Sequence, residues 1–86
     1  MPYARGTVVC SKKGRDKGYF LAVVSSDEVH AFVCDGKERP IENPKKKNLK
    51  HISPTDYVLS EEQLKTNKSL KHALRDFRTN NVKGEI

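Results

Sequence analysis

Tryptophan is absent from this 86-residue chain, and aromatic residues make up only 7% of it. A chain of this length is expected to form one domain with a small hydrophobic core. No apolar run approaches the roughly 20 residues that a transmembrane helix needs, so we expect no membrane partner. The first residues also lack the apolar segment of a signal peptide, which predicts a cytoplasmic protein.

Cysteine and histidine are too few and too scattered to indicate a metal centre. Cys10 and Cys34 lie in separate apolar runs, and neither belongs to a C-x-x-C pair. His30, His51 and His72 are equally scattered, so a zinc site would need an unpatterned convergence of ligands. We predict two reduced thiols in strands and neither metal nor cofactor, although adjacent strands would make a disulfide sterically possible.

Recognisable catalytic motifs are missing as well. Gly14 and Gly18 are only four residues apart, so the phosphate-binding loop G-x-x-x-x-G-K-[ST] is not present. The sequence also has no nucleophile elbow and no H-E-x-x-H pair. Glu61 and Glu62 are adjacent, and adjacent residues of a helix point in different directions. We therefore predict that the protein is not an enzyme.

Positive charge is abundant and unevenly distributed. The formal net charge is +6 and the sequence pI is about 9.5. Residues 1–52 hold 11 Lys and Arg against 6 Asp and Glu, a net charge of +5, whereas residues 53–86 hold 6 against 5, a net charge of +1. This excess favours an anionic partner, and nucleic acid is the commonest one for a small basic domain.

Apolar, β-branched runs predict five short strands in the first part of the chain. Residues 19–25 are apolar on both faces, which is typical of a central strand. In the next run, either Val29, Ala31 and Val33 or Phe32 faces the core. Five short strands within about fifty residues favour a small barrel over an open sheet. The predicted strands are residues 7–10, 19–25, 29–34, 37–41 and 49–52, and the β region ends at residues 53–55.

Turn signals separate these predicted strands. Asp35-Gly36 is typical of a two-residue type I′ hairpin turn. Pro40 has no amide to donate, so the strand that contains it should lie at an edge or be bent. The segment with three consecutive lysines, residues 43–48, is predicted to be a loop.

The last third of the chain has a helical pattern. Ser60 and Gln63 have the spacing of a capping box, so a helix should begin there, with re-capping at Thr66 or Asn67 as an alternative. We expect the final residues, 80–86, to fray. The apolar face of this helix should pack on the barrel or close one of its ends, and it consists of Leu70, Leu74 and Phe77.

A basic stripe lies beside that apolar face at helical spacing. It consists of Lys68, Lys71, Arg75 and Arg78. We favour a solvated flank of the helix for this stripe, with nucleic-acid contact as the alternative.

The densest cluster of charge is the basic loop, which we define as residues 11–18, between the first two predicted strands. It holds one carboxylate, two glycines that permit positive φ, and four cations, namely Lys12, Lys13, Arg15 and Lys17. An ordinary solvated hairpin loop would have this composition. A loop that presents backbone amides and cations to phosphates would have it too.

Several of these segments together resemble a known family. The run Gly6-Thr7-Val8-Val9, the glycine spacing of residues 14–18, Val23-Val24 and Asp35-Gly36 resemble the KOW motif of ribosomal proteins and transcription elongation factors. The downstream residues 39–51 are similar to those of small bacterial KOW-domain proteins related to the archaeal and eukaryotic large-subunit ribosomal protein family fourteen-e. The resemblance covers about residues 5–55. It implies an SH3-like barrel, which we assign to residues 1–55. Residues 56–86 match no motif of the family, and their helical pattern predicts a C-terminal extension packed on the barrel.

The resemblance also implies RNA binding, with Lys17-Gly18 as the hallmark pair of a loop that lies against the RNA backbone. Tyr19 either stacks on an unpaired base or, as we favour, caps the barrel core. Arg39 either makes a bidentate contact with a phosphate or forms a cross-strand pair with Glu38 or Glu42. The predicted RNA-binding residues are Lys12, Lys13, Gly14, Arg15, Lys17, Gly18, Tyr19, Arg39, Lys45, Lys46, Lys47 and Lys50.

Two functions follow as hypotheses. The first is a monomeric, ribosomal-protein-like module that contacts structured RNA, expected to be ribosomal, through backbone phosphates, with ribosomal proteins as possible neighbours. The second is a protein-interaction adaptor of the transcription or translation machinery, because SH3-like barrels also bind peptides. An exposed aromatic groove built from Tyr3, Tyr19, Phe32 or Tyr57 would favour the adaptor.

Overall fold

The computed structural model describes residues 3–82. Five antiparallel strands form one sheet in the order β4-β3-β2-β1-β5, and a single helix follows them. This confirms the prediction of a small, mainly-β domain with five strands, a central second strand and a C-terminal helix. The elements are β1 (Thr7–Ser11), β2 (Phe20–Ser26), β3 (His30–Cys34), β4 (Lys45–Asn48), a 3-10 turn (Leu49–His51), β5 (Ile52–Val58) and α1 (Asn67–Val82).

One face of the sheet packs against α1. Val8, Ala22 and Cys34 lie side by side across β1, β2 and β3 in the strand register, and all three are fully buried. Burying this apolar face against a helix stabilises both elements. The helix contributes Leu70, Leu74 and Phe77, as its periodicity predicts, and the chain between β5 and α1 adds Leu59 and Leu64.

The opposite face holds a second core cluster, formed by Val9, Leu21, Val23, Ala31, Val33 and Ile52. Central strand β2 is therefore apolar on both faces. Ala31 and Val33 point into this cluster, whereas Val29 is 53% exposed. Bulges interrupt the β1–β5 and β2–β3 ladders, and bulges increase the local twist of a sheet.

The fourth strand lies elsewhere than predicted. Residues 37–41 belong to a longer loop, residues 35–44, and β4 is formed by Lys45–Asn48, which the sequence predicts to be a loop. The expected type I′ turn needs positive φ at Asp35 as well, but no non-glycine residue described has positive φ. Instead, the Asp35 carboxylate accepts hydrogen bonds from the amides of Lys37 and Arg39, at 2.8 and 2.9 Å.

The last strand also departs from its predicted limits. Leu49–His51 is a 3-10 turn, and β5 then continues to Val58, beyond the predicted end of the β region. Pairing with β1 extends this strand despite its polar sequence. The Thr55 hydroxyl donates to the carbonyl of Val8 at 2.7 Å, beside the bulge that disturbs the ladder there.

The capping box forms but does not start the helix. The Gln63 amide donates to Ser60 Oγ at 3.2 Å, and the Ser60 amide donates to Gln63 Oε1 at 2.9 Å. These bonds hold a separate turn. The helix α1 begins at Asn67, where the Ser69 amide donates to Thr66 Oγ1 at 3.0 Å, so re-capping at Thr66 is the correct alternative. The helix continues to Val82, and the rest of the segment predicted to fray, residues 83–86, lies outside the described residues.

Cys10 and Cys34 are free thiols. They lie on β1 and β3, which flank β2 and do not pair with each other. Burial, with a smaller effect from the nearby Asp35 carboxylate, raises the pKa of Cys34 to about 11, so this thiol is protonated at neutral pH.

Within residues 3–82, no helix combines the length and the apolarity needed to cross a membrane.

Candidate nucleic-acid interface

The basic loop is closed by its own backbone. The Gly18 amide donates to the Ser11 carbonyl at 2.8 Å, and the Ser11 amide donates to the Tyr19 carbonyl at 2.9 Å. Gly14 and Gly18 have φ values of +93° and +89°, a region that other residues rarely adopt. The two glycines therefore allow the tight path predicted for this loop.

A partly buried ion pair links the loop to β4. Lys47 of β4 is only 6% exposed, and its Nζ donates to Asp16 Oδ1 at 3.0 Å and to the Lys13 carbonyl at 2.9 Å. The Ser11 hydroxyl donates to the same Asp16 oxygen at 2.8 Å. Asp16 Oδ2 is buried with no hydrogen-bond partner in the described part of the chain, so the carboxylate is compensated at Oδ1, by Lys47 and Ser11.

These contacts determine the ionisation of Asp16. Burial by itself would raise the pKa of this carboxyl group. The hydrogen bonds from Lys47 and Ser11, together with the charge of Lys47, outweigh burial and hold the pKa of Asp16 below its usual value of 3.8. Asp16 is therefore ionised at neutral pH, and its charge is matched by Lys47.

Because Lys47 neutralises the only carboxylate of the loop, the charge of the loop's own cations remains uncompensated. Lys12, Lys13, Arg15 and Lys17 are all exposed. In the part of the chain that the structure describes, none of the four forms an ion pair. The loop therefore presents four positive charges to solvent over a short stretch of chain.

The other predicted lysines are distributed unequally around the loop. Lys45 lies on the same face of β4 as Lys47, and its charge helps to lower the pKa of Asp16. The Lys12 amide donates to the His51 carbonyl at 2.7 Å, which places the loop beside the 3-10 turn that carries the exposed Lys50.

Lys46 lies apart from these residues. It projects from the opposite face of β4, where it opposes Phe32 in the register. The pKa of Asp27 is lowered mainly by hydrogen bonds from the His30 and Val29 amides, and the charge of Lys46 adds a minor contribution. Of the three consecutive lysines, only Lys45 is thus both beside the basic loop and partly accessible.

A broad open groove of about 720 Å³, which we call the arginine groove, runs between the basic loop, loop 35–44 and α1. Three of its lining residues, Asp16, Asp35 and Glu38, are acidic, and two of these are engaged by the contacts described above. The floor includes Phe20, whose ring packs edge-on against Phe77 with centroids 5.1 Å apart. The basic lining residues are Arg15, Lys37, Arg39, Lys71, Arg75 and Arg78.

The helix wall of the groove is positioned by Asn67. Its Oδ1 accepts a hydrogen bond from the Ile41 amide at 2.8 Å, and its Nδ2 donates to Glu42 Oε1 at 2.7 Å. Gly36, with φ of +80°, lies against the Asn67 carbonyl so closely that a Cβ atom would collide with it. Loop 35–44 and the first turn of α1 are thereby held together.

The structure also gives the surroundings of residues for which the sequence leaves alternatives open. Tyr19 is 55% exposed at the groove, so it does not cap the core. Within residues 3–82, Arg39 forms no ion pair with Glu38 or Glu42. Three members of the helix stripe, Lys71, Arg75 and Arg78, line the groove, whereas Lys68 does not.

The aromatic residues considered for an adaptor surface are separated. Tyr3 packs against the second core cluster, and Tyr57 packs on Phe77, on the helix side of the sheet. Phe32 is partly buried. The arginine groove, where Tyr19 lies, is not lined by Tyr3, Phe32 or Tyr57.

Sequence reasoning missed Lys37 and the parts played by Gly36 and Asn67. The Asp35-Gly36 pattern indicates only a turn, and the contacts of Asn67 join positions far apart in the chain, so no local pattern indicates them.

In the described residues, no group of three His, Cys, Asp or Glu side chains is arranged to hold a metal ion. A search against models of known protein families found no match for this chain, and neither did a search of curated protein sequences.

Proposed function

We propose that this protein is a non-catalytic RNA-binding module, similar to a ribosomal protein, that contacts structured RNA through its phosphates. The observation that carries the proposal is the pairing of Asp16 with buried Lys47. That pairing removes the one negative charge of the basic loop and leaves four exposed cations on a backbone of defined shape. Such a surface positions phosphates without reading sequence.

The surroundings of the loop support the same proposal. Lys45 and the turn that carries Lys50 lie beside the loop, and the arginine groove shares Arg15 with it. The resemblance of residues 5–55 to the KOW motif agrees with an anionic RNA partner. We further propose that the twisted five-stranded sheet is an SH3-like barrel of the KOW type, since its bulges and its two apolar faces are typical of a small curled sheet.

Binding of a structured RNA, such as a purified ribosomal RNA fragment, at several KCl concentrations tests the proposal. Affinity should fall steeply and log-linearly with salt, because bound phosphates release their counterions. The double charge reversal Lys13→Glu and Lys17→Glu should weaken binding at least tenfold and flatten the salt dependence. Fluorescence anisotropy measures both quantities.

The matched control is Lys65→Glu and Lys68→Glu, which makes the same change in net charge at exposed positions away from the loop and the groove. It should reduce affinity only slightly. Equal losses for the two double variants would mean that the protein responds to net charge alone, and the proposed surface would then be wrong. Circular dichroism checks that both variants remain folded.

A further inference from the structure

The arginine groove has an exposed aromatic ring at its rim. The Tyr19 side chain is 55% exposed, yet its backbone is held on both sides. Its amide donates to the Asp16 carbonyl at 2.9 Å, and its carbonyl accepts from the Ser11 amide at the same distance. The closed loop therefore fixes the backbone from which the ring projects and leaves the ring accessible. An accessible, anchored aromatic ring beside cations is what a stacking platform for bases requires.

Four guanidinium groups share the groove with this ring. They come from three separate parts of the chain, the basic loop, loop 35–44 and α1, and none forms an ion pair within residues 3–82. A guanidinium group is planar, so it can donate two parallel hydrogen bonds to a phosphate and can also stack on a base. The four are Arg15, Arg39, Arg75 and Arg78.

The shape of the groove distinguishes between kinds of RNA. An A-form duplex keeps its bases stacked inside and presents a convex backbone, so it can touch the exposed loop but cannot offer a base face to Tyr19. An unpaired stretch, in a loop, a bulge or a free end, can place its backbone along a concave basic surface with a base turned toward an aromatic ring.

We infer that the arginine groove binds unpaired nucleotides of RNA, with a base stacked on Tyr19 and the neighbouring phosphates held by the four arginines. This inference rests on the proposed RNA-binding function and adds a second mode of contact to it. The basic loop contacts backbone of any structure, and the groove selects places where the RNA is not paired. An acidic peptide would satisfy the cations but would not need the tyrosine ring.

Anisotropy titrations with the full chain test the ring. The probes are a fluorescent decauridine strand and a blunt RNA duplex with the same number of phosphates. Tyr19→Leu should weaken decauridine binding about tenfold, since the base loses its aromatic stacking partner, and should change duplex binding less than twofold. Tyr19→Phe keeps the ring and should bind both probes as the parent protein does.

A second pair of variants tests the arginines. Arg75→Gln with Arg78→Gln should weaken decauridine binding and lower the slope of log affinity against log salt by about 1.4, the value for two phosphate contacts to a single strand. Lys65→Gln with Lys68→Gln removes the same charge away from the groove and should leave the slope nearly unchanged.

The outcomes separate this inference from the proposed function. If the parent protein binds the duplex and structured RNA but not decauridine, or if Tyr19→Leu binds decauridine normally, the groove inference is wrong and the proposed function stands. If a glutamate-rich peptide of equal charge displaces decauridine equally well, and Tyr19→Leu does not alter this, the groove is a general anion surface. If no RNA binds at all, both proposals are wrong.

Discussion

Three consecutive lysines in β4 have different surroundings because side chains alternate across a strand. Lys46 is exposed on one face of β4, while Lys47 is 6% exposed on the other and reaches into the basic loop. A charge run in a sequence therefore need not be a single binding patch. One member of this run neutralises Asp16 from inside, and its neighbours remain available to a partner.

Replacing Lys47 by methionine should destabilise the protein by about 1–3 kcal/mol, because the partly buried Asp16, whose Oδ2 already lacks a partner, would lose its cation. The matched variant is Lys46→Met, which removes the same charge from an exposed position of the same strand and should change stability by less than about 0.5 kcal/mol. Urea denaturation measures both free energies. Equal effects of the two substitutions would show that the buried pair does not stabilise the fold.

The pH dependence of this loss has a defined sign. The pKa of Asp16 is lowered in the folded protein, so its pairing stabilises the fold above pH 3.8, and that contribution disappears as the pH falls through the folded-state pKa. In Lys47→Met, burial should raise the pKa of Asp16 instead. The stability difference between parent and variant should thus be largest at neutral pH. It should narrow as the pH falls through the raised pKa of Asp16 in the variant and then through its lowered pKa in the parent.

At the scale of elements, the arginine groove depends on how α1 docks against loop 35–44. Asn67 bridges the two segments through Ile41 and Glu42, and Gly36 permits the close approach of the helix. The helix is amphipathic by its own sequence, but this amphipathicity only determines which face is buried. The bridge at Asn67 helps to determine where the first turn lies, and thereby places Lys71 and Arg75 opposite the basic loop.

Gly36→Ala should destabilise the protein by about 2 kcal/mol or more. The alanine would have a strained positive φ, and its methyl group would collide with the Asn67 carbonyl. Gly18→Ala is the matched control, because Gly18 has a similar φ of +89° but no atom within 4 Å of the added Cβ. That variant should show the backbone cost alone, about 1 kcal/mol. Equal urea midpoints for the two variants would contradict the proposed close docking of the helix.

At the scale of the whole molecule, residues 1–55 and 56–86 share one hydrophobic core. The cluster on the helix side of the sheet includes Val8 and Ala22 from the strands and Leu70 and Phe77 from α1. The predicted boundary at residue 55 falls within β5, which continues to Val58, and we expect the sheet and the helix to unfold together.

Leu70→Ala tests this cooperativity, because Leu70 is fully buried between the helix and the sheet. We expect a loss of about 3 kcal/mol, as is usual for truncating a buried leucine, and an equal drop in the hydrogen-exchange stability of the β2 amides. Lys68→Ala, on the exposed side of the helix, serves as the control. Unchanged protection of β2 in Leu70→Ala would show that the helix is an independent extension.

Sequence patterns located the elements that depend on near neighbours. The apolar runs of β1, β2 and β3 and the spacing of Leu70, Leu74 and Phe77 were correctly interpreted, because burial of a strand or helix face leaves a period of two or about 3.6. The same reasoning failed for β4. Consecutive lysines have low strand propensity, and their strand forms because the backbone pairs with β3.

By itself, the sequence determined a small basic domain with a glycine-rich cationic loop, a central apolar strand and a helix with one apolar face, since each of these depends on residues close together in the chain. Only the tertiary structure decided that Lys47 is buried beneath that loop and that Arg15, Arg39 and Arg75 line one groove. These residues meet through strand pairing and through the contacts of Asn67, and long-range contacts of this kind leave no periodic pattern that a local interpretation of the sequence can detect.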